Sequence, residues 1–150
     1  MEYLFAGQVF FDEDISFFFD EDISSWGVGQ VTSMQEMFYE ATVFRGNLNK
    51  WNVSRVTNMY GMFQGAKAYD SDLSSWDIAG VEFMEYMFLG ASSFSQDLCA
   101  WAEQFEFIQA KRYMFQDTNC TFQHDPEKDQ KGPFCASTCQ SATVAWSTVR

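Results

Sequence analysis

Four cysteines and a single histidine are the side chains best suited to chemistry in this 150-residue chain. Cys120, Cys135 and Cys139 cluster near the carboxyl end, and Cys99 precedes them. An even number of cysteines gathered at one end of a small domain predicts two disulfides and an oxidising compartment, with free thiols as the alternative. Four cysteines allow three pairings, and the sequence does not choose among them. A zinc site is disfavoured, because there is no tightly spaced cysteine pair and His124 lies in a polar loop.

Carboxylates are the next candidates for a site. Two Asp-Glu-Asp triplets, at 12–14 and 20–22, could bind calcium, but they lack the ligand spacing and central glycine of an EF-hand, which favours a solvated acidic corner. The sequence has no Ser/His/Asp or Cys/His arrangement and no Gly-rich phosphate loop. The chain is therefore predicted to be non-catalytic, with no cofactor and no metal.

The charge balance restricts the partners. The chain has 21 acidic and 9 basic residues, a formal net charge of -12, so binding to nucleic acid or to an anionic bilayer is disfavoured and a basic partner is expected. No apolar run is long enough to span a membrane. The acidic amino terminus is unlike a signal peptide, which leaves two alternatives: a protein that stays inside the cell, or a fragment whose leader is missing.

The elements that must position these groups are revealed by four tryptophans. Trp26, Trp51, Trp76 and Trp101 lie 25 residues apart, and each of the first three begins a near-copy of one segment. A fixed period in this range predicts a stack of similar supersecondary units rather than a globule with one central core.

Apolar residues recur in register after each tryptophan. The predicted core positions are Trp26, Val31, Met34, Met37, Phe38, Trp51, Val56, Met59, Met62, Phe63, Trp76, Val81, Met84, Met87, Phe88, Trp101, Met114 and Phe115. A methionine-rich face could also be an adaptable binding surface, but the regular spacing favours filling between layers.

The spacing also predicts the elements of each repeat. Counted from the valine, the apolar offsets of 0, 3, 6, 7 and 10 predict a short helix, at 56–66 in the clearest copy. The alternation at 51–53 and 76–78 predicts short strands that align between repeats into a narrow parallel sheet. The predicted fold is an α/β repeat solenoid, a right-handed coil with one short parallel strand and one short helix per 25-residue turn.

The pattern breaks at both ends of the chain. Residues 1–25 are predicted to be a truncated repeat, 26–100 three full repeats, 101–139 a degenerate capping repeat with a cysteine-rich closing loop, and 140–150 a loose tail. In the capping repeat the apolar stripe is shifted by two residues and Lys111 replaces a core methionine, as a terminal cap requires.

The repeats over 26–100 resemble those of the BspA-like leucine-rich-repeat surface proteins, which read W-D-V-S-x-V-x-x-M-x-x-M-F-x-x-A-x-x-F-x-x-D-L-S-x. The segments 98–101 and 132–135 also look like the closing module of algal members. The resemblance implies an LRR-like solenoid in a cell-surface or secreted protein linked to adhesion or recognition. It brings no catalytic residues.

The function expected from the sequence is a non-catalytic cell-surface or secreted module that binds a protein or a glycan. The alternative is a structural spacer, or an inactive fragment of a larger surface protein. Two sequons, at Asn52 and Asn119, are compatible with secretion in a eukaryote, although such triplets also arise by chance at outward polar positions.

Overall fold

The structure, a computed structural model, describes residues 23–105, 108–126 and 132–139. The acidic triplets at 12–14 and 20–22, most of the truncated repeat predicted over 1–25, and the tail predicted over 140–150 lie outside the described residues. No helix in the described part of the chain is long and apolar enough to cross a membrane.

Equivalent residues of consecutive repeats lie side by side. Parallel bridges join Ser33 to Asn58, Asn58 to Phe83, and Phe83 to Ala110, so the interval is 25 residues twice and then 27. Alternate backbone N–H groups extend this pairing at 2.7 to 2.8 Å, from Met34, Glu36, Phe38 and Glu40 to the carbonyls of Asn58, Tyr60, Met62 and Gln64. The next two interfaces repeat the arrangement, so the repeats pack in register against one another.

The three-turn helix predicted over 56–66 is not formed. Among the described residues the helical segments are two single 3-10 turns, Ile23–Ser25 and Cys99–Trp101. An α-helix would use its N–H groups internally, whereas here alternate groups bond to the next repeat. The remaining ones close successive turns, for example from Gln64 to the carbonyl of Gly61 at 3.1 Å and from Ala66 to that of Phe63 at 3.0 Å.

The strands predicted at 51–53 and 76–78 also differ from the structure. Neither segment pairs with its neighbours as a strand, and the parallel bridges instead lie seven residues after each tryptophan, at Ser33, Asn58 and Phe83. The alternation of apolar and polar residues at 51–53 reflects burial of Trp51 and Val53 on either side of the exposed Asn52. Alternating burial does not require strand pairing.

Aromatic rings form two columns through the core. In the first, successive rings are parallel within 9° and their centroids are 5.4, 5.5 and 5.8 Å apart, at Phe38, Phe63, Phe88 and Phe115. In the second, the separations are 5.6 and 6.2 Å, at Phe44, Tyr69 and Phe94. Because one repeat contributes one ring to each column, the packing energy of each ring depends on the repeats before and after it.

Three tryptophans tie each repeat to the one before it. The indole N–H groups of Trp51, Trp76 and Trp101 donate to carbonyls 28 residues earlier, at 2.9, 2.9 and 3.1 Å. Trp26, predicted to be a core residue, differs because its side chain is 38% exposed.

The carboxyl end of the stack is closed by a short loop and two disulfides. The Asp125 carboxylate accepts the backbone N–H groups of Tyr113 and Met114, both at 2.8 Å. It thereby supplies to Tyr113 the acceptor that a following repeat would provide. Lys111 is half-buried, with its ammonium donating to the Phe105 carbonyl at 3.2 Å and lying 4.5 Å from the centre of that ring.

Candidate functional site

The residues predicted to form the repeat core lie inside the stack with few exceptions. Those that are at most 3% exposed are Met34, Phe38, Trp51, Val56, Met59, Met62, Phe63, Trp76, Val81, Met84, Met87, Phe88, Trp101, Met114 and Phe115. Val31 and Met37 are half-buried, and Trp26 is exposed. The methionine stripe is therefore buried within the stack except at Met37.

The four cysteines form two disulfides at the closed end. Cys99 pairs with Cys139 and Cys120 with Cys135, with Cα atoms 5.1 and 4.6 Å apart. In the described part of the chain, the grouping of side chains that could hold a metal is Asp97 with Cys99 and Cys139. Because the two sulfur atoms are bonded to each other, neither is available as a thiolate ligand.

The two sequon asparagines are exposed. The Asn52 side-chain oxygen accepts the backbone N–H of Ser54 at 3.2 Å and its hydroxyl at 2.7 Å, which forms a local turn. Asn119 adjoins the disulfide-bonded Cys120 and donates its backbone N–H to the Phe94 carbonyl at 3.1 Å. Both side chains are accessible.

Three tyrosines, one from each of three consecutive repeats, lie next to one another on the outside of the stack. Tyr60 and Tyr86 meet edge to face with centroids 5.4 Å apart, and Tyr86 stacks on Tyr113 at 5.6 Å. Tyr60 and Tyr86 are half-buried, whereas Tyr113 is 50% exposed. We call these three residues the tyrosine row. Phe83, three residues before Tyr86, is 41% exposed.

The backbone under the row adopts a conformation that favours glycine. Tyr86 and Tyr113 have φ of 58° and 55°, and the equivalent positions of the two preceding repeats have 52° at Glu36 and 56° at Gly61. Only glycine adopts left-handed values without steric cost, and a bulky residue there is uncommon. The row therefore has two large aromatic side chains at positions where the backbone conformation favours glycine.

Carboxylates flank the row. The carbonyl of Tyr60 accepts the backbone N–H of Glu36, in the preceding repeat, at 2.8 Å. The backbone N–H of Gly61 donates to the carbonyl of Glu85, in the following repeat, at 2.9 Å. An acidic residue therefore adjoins this segment on either side. Burial raises the pKa of Tyr60 above its ordinary value, and the charges of Tyr86, Glu36 and Glu85 raise it further. The phenol thus stays neutral at physiological pH within a negative environment.

The tyrosine row offers two kinds of group to a ligand. Aromatic faces attract cations, and tyrosine hydroxyls and carboxylates accept hydrogen bonds. The row does not stand out in the periodic pattern, because its residues fall at positions between the buried ones. A signal was nevertheless present: the segments 85–88 and 112–115 both read charged-Tyr-Met-Phe, with an aromatic residue at an outward position.

A comparison with curated proteins and one with solved structures found no match. One protein family, described as Mycoplasma protein of unknown function, DUF285, matches residues 1–128 and so includes the repeats and most of the capping segment. The chain therefore belongs to the DUF285 family.

Proposed function

We propose that the chain is a non-catalytic binding module of a cell-surface or secreted protein, and that its repeats present an outer face to a protein or a glycan. The observation that carries this proposal is the tyrosine row, in which three consecutive repeats place adjoining aromatic rings on the outside. Interfaces are enriched in tyrosine because it offers a large apolar area, one hydroxyl and little side-chain entropy to lose.

A solenoid architecture underlies the proposal. We infer a right-handed coil of the kind found in BspA-like leucine-rich-repeat surface proteins, with turns in place of the helix that the spacing predicts. The bridges between consecutive repeats, at intervals of 25, 25 and 27 residues, and the two aromatic columns support a continuous coil. In such a coil, equivalent outward positions line up and build a surface larger than one repeat.

The proposed location outside the cell is supported by the cysteines. All four are in disulfides, which persist in oxidising compartments and are rare in the cytosol. Mass spectrometry of the native protein, with free thiols alkylated before reduction, tests this directly. We expect no alkylated cysteine before reduction; four alkylated cysteines would contradict the extracellular assignment.

A binding screen separates a binding module from a structural spacer. The folded chain would be applied to a glycan array and to a panel of purified secreted proteins, beside two variants. Tyr86→Gly/Tyr113→Gly removes two rings of the row, and Val43→Ser removes an exposed apolar side chain that is not part of it. Ligands retained by Val43→Ser and lost by the double variant support the proposal, whereas a reproducibly silent screen favours a spacer.

A further inference from the structure

We propose that the tyrosine row docks an extended peptide segment of a partner protein through lysine or arginine side chains. This inference rests on the proposed binding function and deepens it, because it names the site and the chemistry of the occupant. The row supplies the ring faces, and Glu36 and Glu85 supply the carboxylates.

Charge complementarity is the first argument for a basic occupant. The chain has a formal net charge of -12, and the residues that flank Tyr60 in the neighbouring repeats, Glu36 and Glu85, are both acidic. A guanidinium or an ammonium group above a tyrosine ring is attracted by the negative face of the ring, and a carboxylate beside the ring adds to the attraction. An acidic segment would instead be repelled by the net negative charge of the chain.

Ring orientation is the second argument. The planes of Tyr60 and Tyr86 meet at 67°, and those of Tyr86 and Tyr113 at 20°, so the three rings do not form one flat platform. A chain of sugar rings stacked on aromatic faces would need such a platform. A cationic side chain needs only one ring face and one carboxylate, which the tilted rings can offer separately.

The size of the row suits a short extended segment. The two ring separations give a length of at most about 11 Å, and side chains on the same face of an extended peptide are about 7 Å apart. Two basic side chains separated by one residue would therefore reach the row together. The backbone adds a further indication, because Tyr86 and Tyr113 occupy left-handed positions where the preceding repeat has Gly61. Residues held in costly backbone conformations tend to cluster at ligand-binding sites.

The test measures binding of one defined peptide. A fluorescent Arg-Ser-Arg-Ser-Arg peptide is titrated with the full chain by anisotropy at about 0.1 M salt, where the Debye length is about 10 Å. The first variant, Tyr86→Gly/Tyr113→Gly, removes two rings and relieves two left-handed positions. The second, Glu36→Gln/Glu85→Gln, removes the flanking charges. The control Asp72→Asn/Asp77→Asn removes the same charge at exposed positions outside the row.

We expect the peptide to bind the unaltered chain. Tyr86→Gly/Tyr113→Gly, which loses two rings, should bind about fivefold more weakly or worse, because one exposed cation–π contact corresponds to about two- to fivefold. Glu36→Gln/Glu85→Gln, which loses the flanking charges, should also bind more weakly than the control. The control should change affinity less than twofold. Melting by circular dichroism confirms that each variant is folded. If the double glycine variant is not, Tyr113→Gly alone carries the test, because half of that side chain is already exposed.

Three outcomes would overturn the inference. Equal weakening by the control and by Glu36→Gln/Glu85→Gln would indicate diffuse attraction rather than a site. Absence of peptide binding, with a neutral oligosaccharide bound by the row, would leave the proposed function standing with a different ligand. Absence of any ligand, in this titration and in the screens, would remove the proposed function as well.

Discussion

At the scale of single residues, Tyr69 is the side chain least suited to its position, because it places a hydroxyl in the buried core. Its ring is fully buried in the second aromatic column, where the adjoining repeats have Phe44 and Phe94. Its hydroxyl has no hydrogen-bond partner among the described residues. A buried hydroxyl without a partner loses its hydration and gains nothing in return.

We therefore predict that Tyr69→Phe stabilises the protein by about 1 kcal/mol, part of the 1–3 kcal/mol penalty of an unsatisfied buried group, because a small void remains. Urea unfolding at neutral pH measures the change. The reverse substitution in the same column, Phe94→Tyr, should destabilise the protein. A loss of stability in Tyr69→Phe would show that the hydroxyl has a favourable partner.

The same residue predicts a dependence on alkaline pH. Burial raises the pKa of Tyr69 well above its ordinary value of 10.0, with smaller contributions from the charges of Asp70 and Asp72. The pKa of Tyr69 is higher in the folded state than in the unfolded state, so the unfolded chain loses this proton first. The contribution of the protonated phenol to the free energy of unfolding is therefore complete below about pH 10 and is lost as pH rises through the folded pKa. The stability difference between the unaltered chain and Tyr69→Phe should widen between about pH 9 and 11, in favour of the variant. A constant difference would contradict this.

Backbone conformation gives a second prediction for single residues. Gly65 has φ of +72°, and a Cβ atom there would lie 3.2 Å from Cγ of Glu40. Gly65→Ala should destabilise the protein by about 1–2 kcal/mol, because a left-handed conformation is costly for any other residue. Gly80, which is outside the left-handed region and whose added Cβ would lie 3.5 Å from its nearest neighbour, is the matched control. Denaturant midpoints that fall equally for the two alanine variants would exclude backbone strain as the cause.

At the scale of the elements, each repeat directs alternate N–H groups of one segment toward the next repeat, so the last repeat needs acceptors from elsewhere. Asp125 supplies one of them to Tyr113, and its second carboxylate oxygen accepts the N–H of Met114. Successive backbone N–H groups around a left-handed residue form a concavity that binds anions, and Tyr113 is such a residue. A carboxylate therefore matches both the geometry and the charge of this end.

Asp125→Ala should lower the free energy of unfolding by about 2–3 kcal/mol, because two N–H groups lose a charged acceptor. Asp125→Asn keeps one oxygen and should lie between the alanine variant and the unaltered chain. Thermal unfolding monitored by circular dichroism ranks the three proteins. Glu82→Ala, which removes an exposed carboxylate, controls for the change in charge; equal effects at both sites would argue against the capping role.

At the scale of the whole molecule, the excess of acidic residues opposes folding. With a formal net charge of -12, the compact state carries carboxylates closer together than the unfolded chain does. The aromatic columns and the bonded repeats must outweigh this repulsion. The same charge favours solubility and a basic partner.

Salt should therefore raise the melting temperature. Between about 0.01 and 0.1 M NaCl the Debye length falls from about 30 to 10 Å, which screens repulsion between separated surface carboxylates. Differential scanning calorimetry measures the shift, and Asp72→Asn/Asp77→Asn should show a smaller one because it carries less charge. A melting temperature that falls with salt over this range would mean that attractive surface pairs dominate.

The candidate site could be predicted from the sequence only in part. The pattern identified most of the buried positions and favoured a buried methionine stripe over a binding surface, and an outward Tyr recurs before Met87 and Met114. That these tyrosines adjoin one another and Tyr60 depends on a left-handed backbone and on a two-residue change of register. The change of register is visible in the sequence as the shifted stripe of the capping repeat. The left-handed backbone does not follow from residue types, since Glu36 and Tyr86 share a conformation that would favour glycine.

By itself, the sequence determined the repeat unit and its buried positions, because a 25-residue period of apolar side chains can be buried only if consecutive copies pack in register. The tertiary structure decided the backbone between those positions and the pairing of the cysteines. The spacing of the buried residues suits a helix and a series of turns alike. The choice between a helix and turns depends on which carbonyls accept the backbone N–H groups. Half of those carbonyls lie in the neighbouring repeat, and the sequence around the N–H groups does not indicate them.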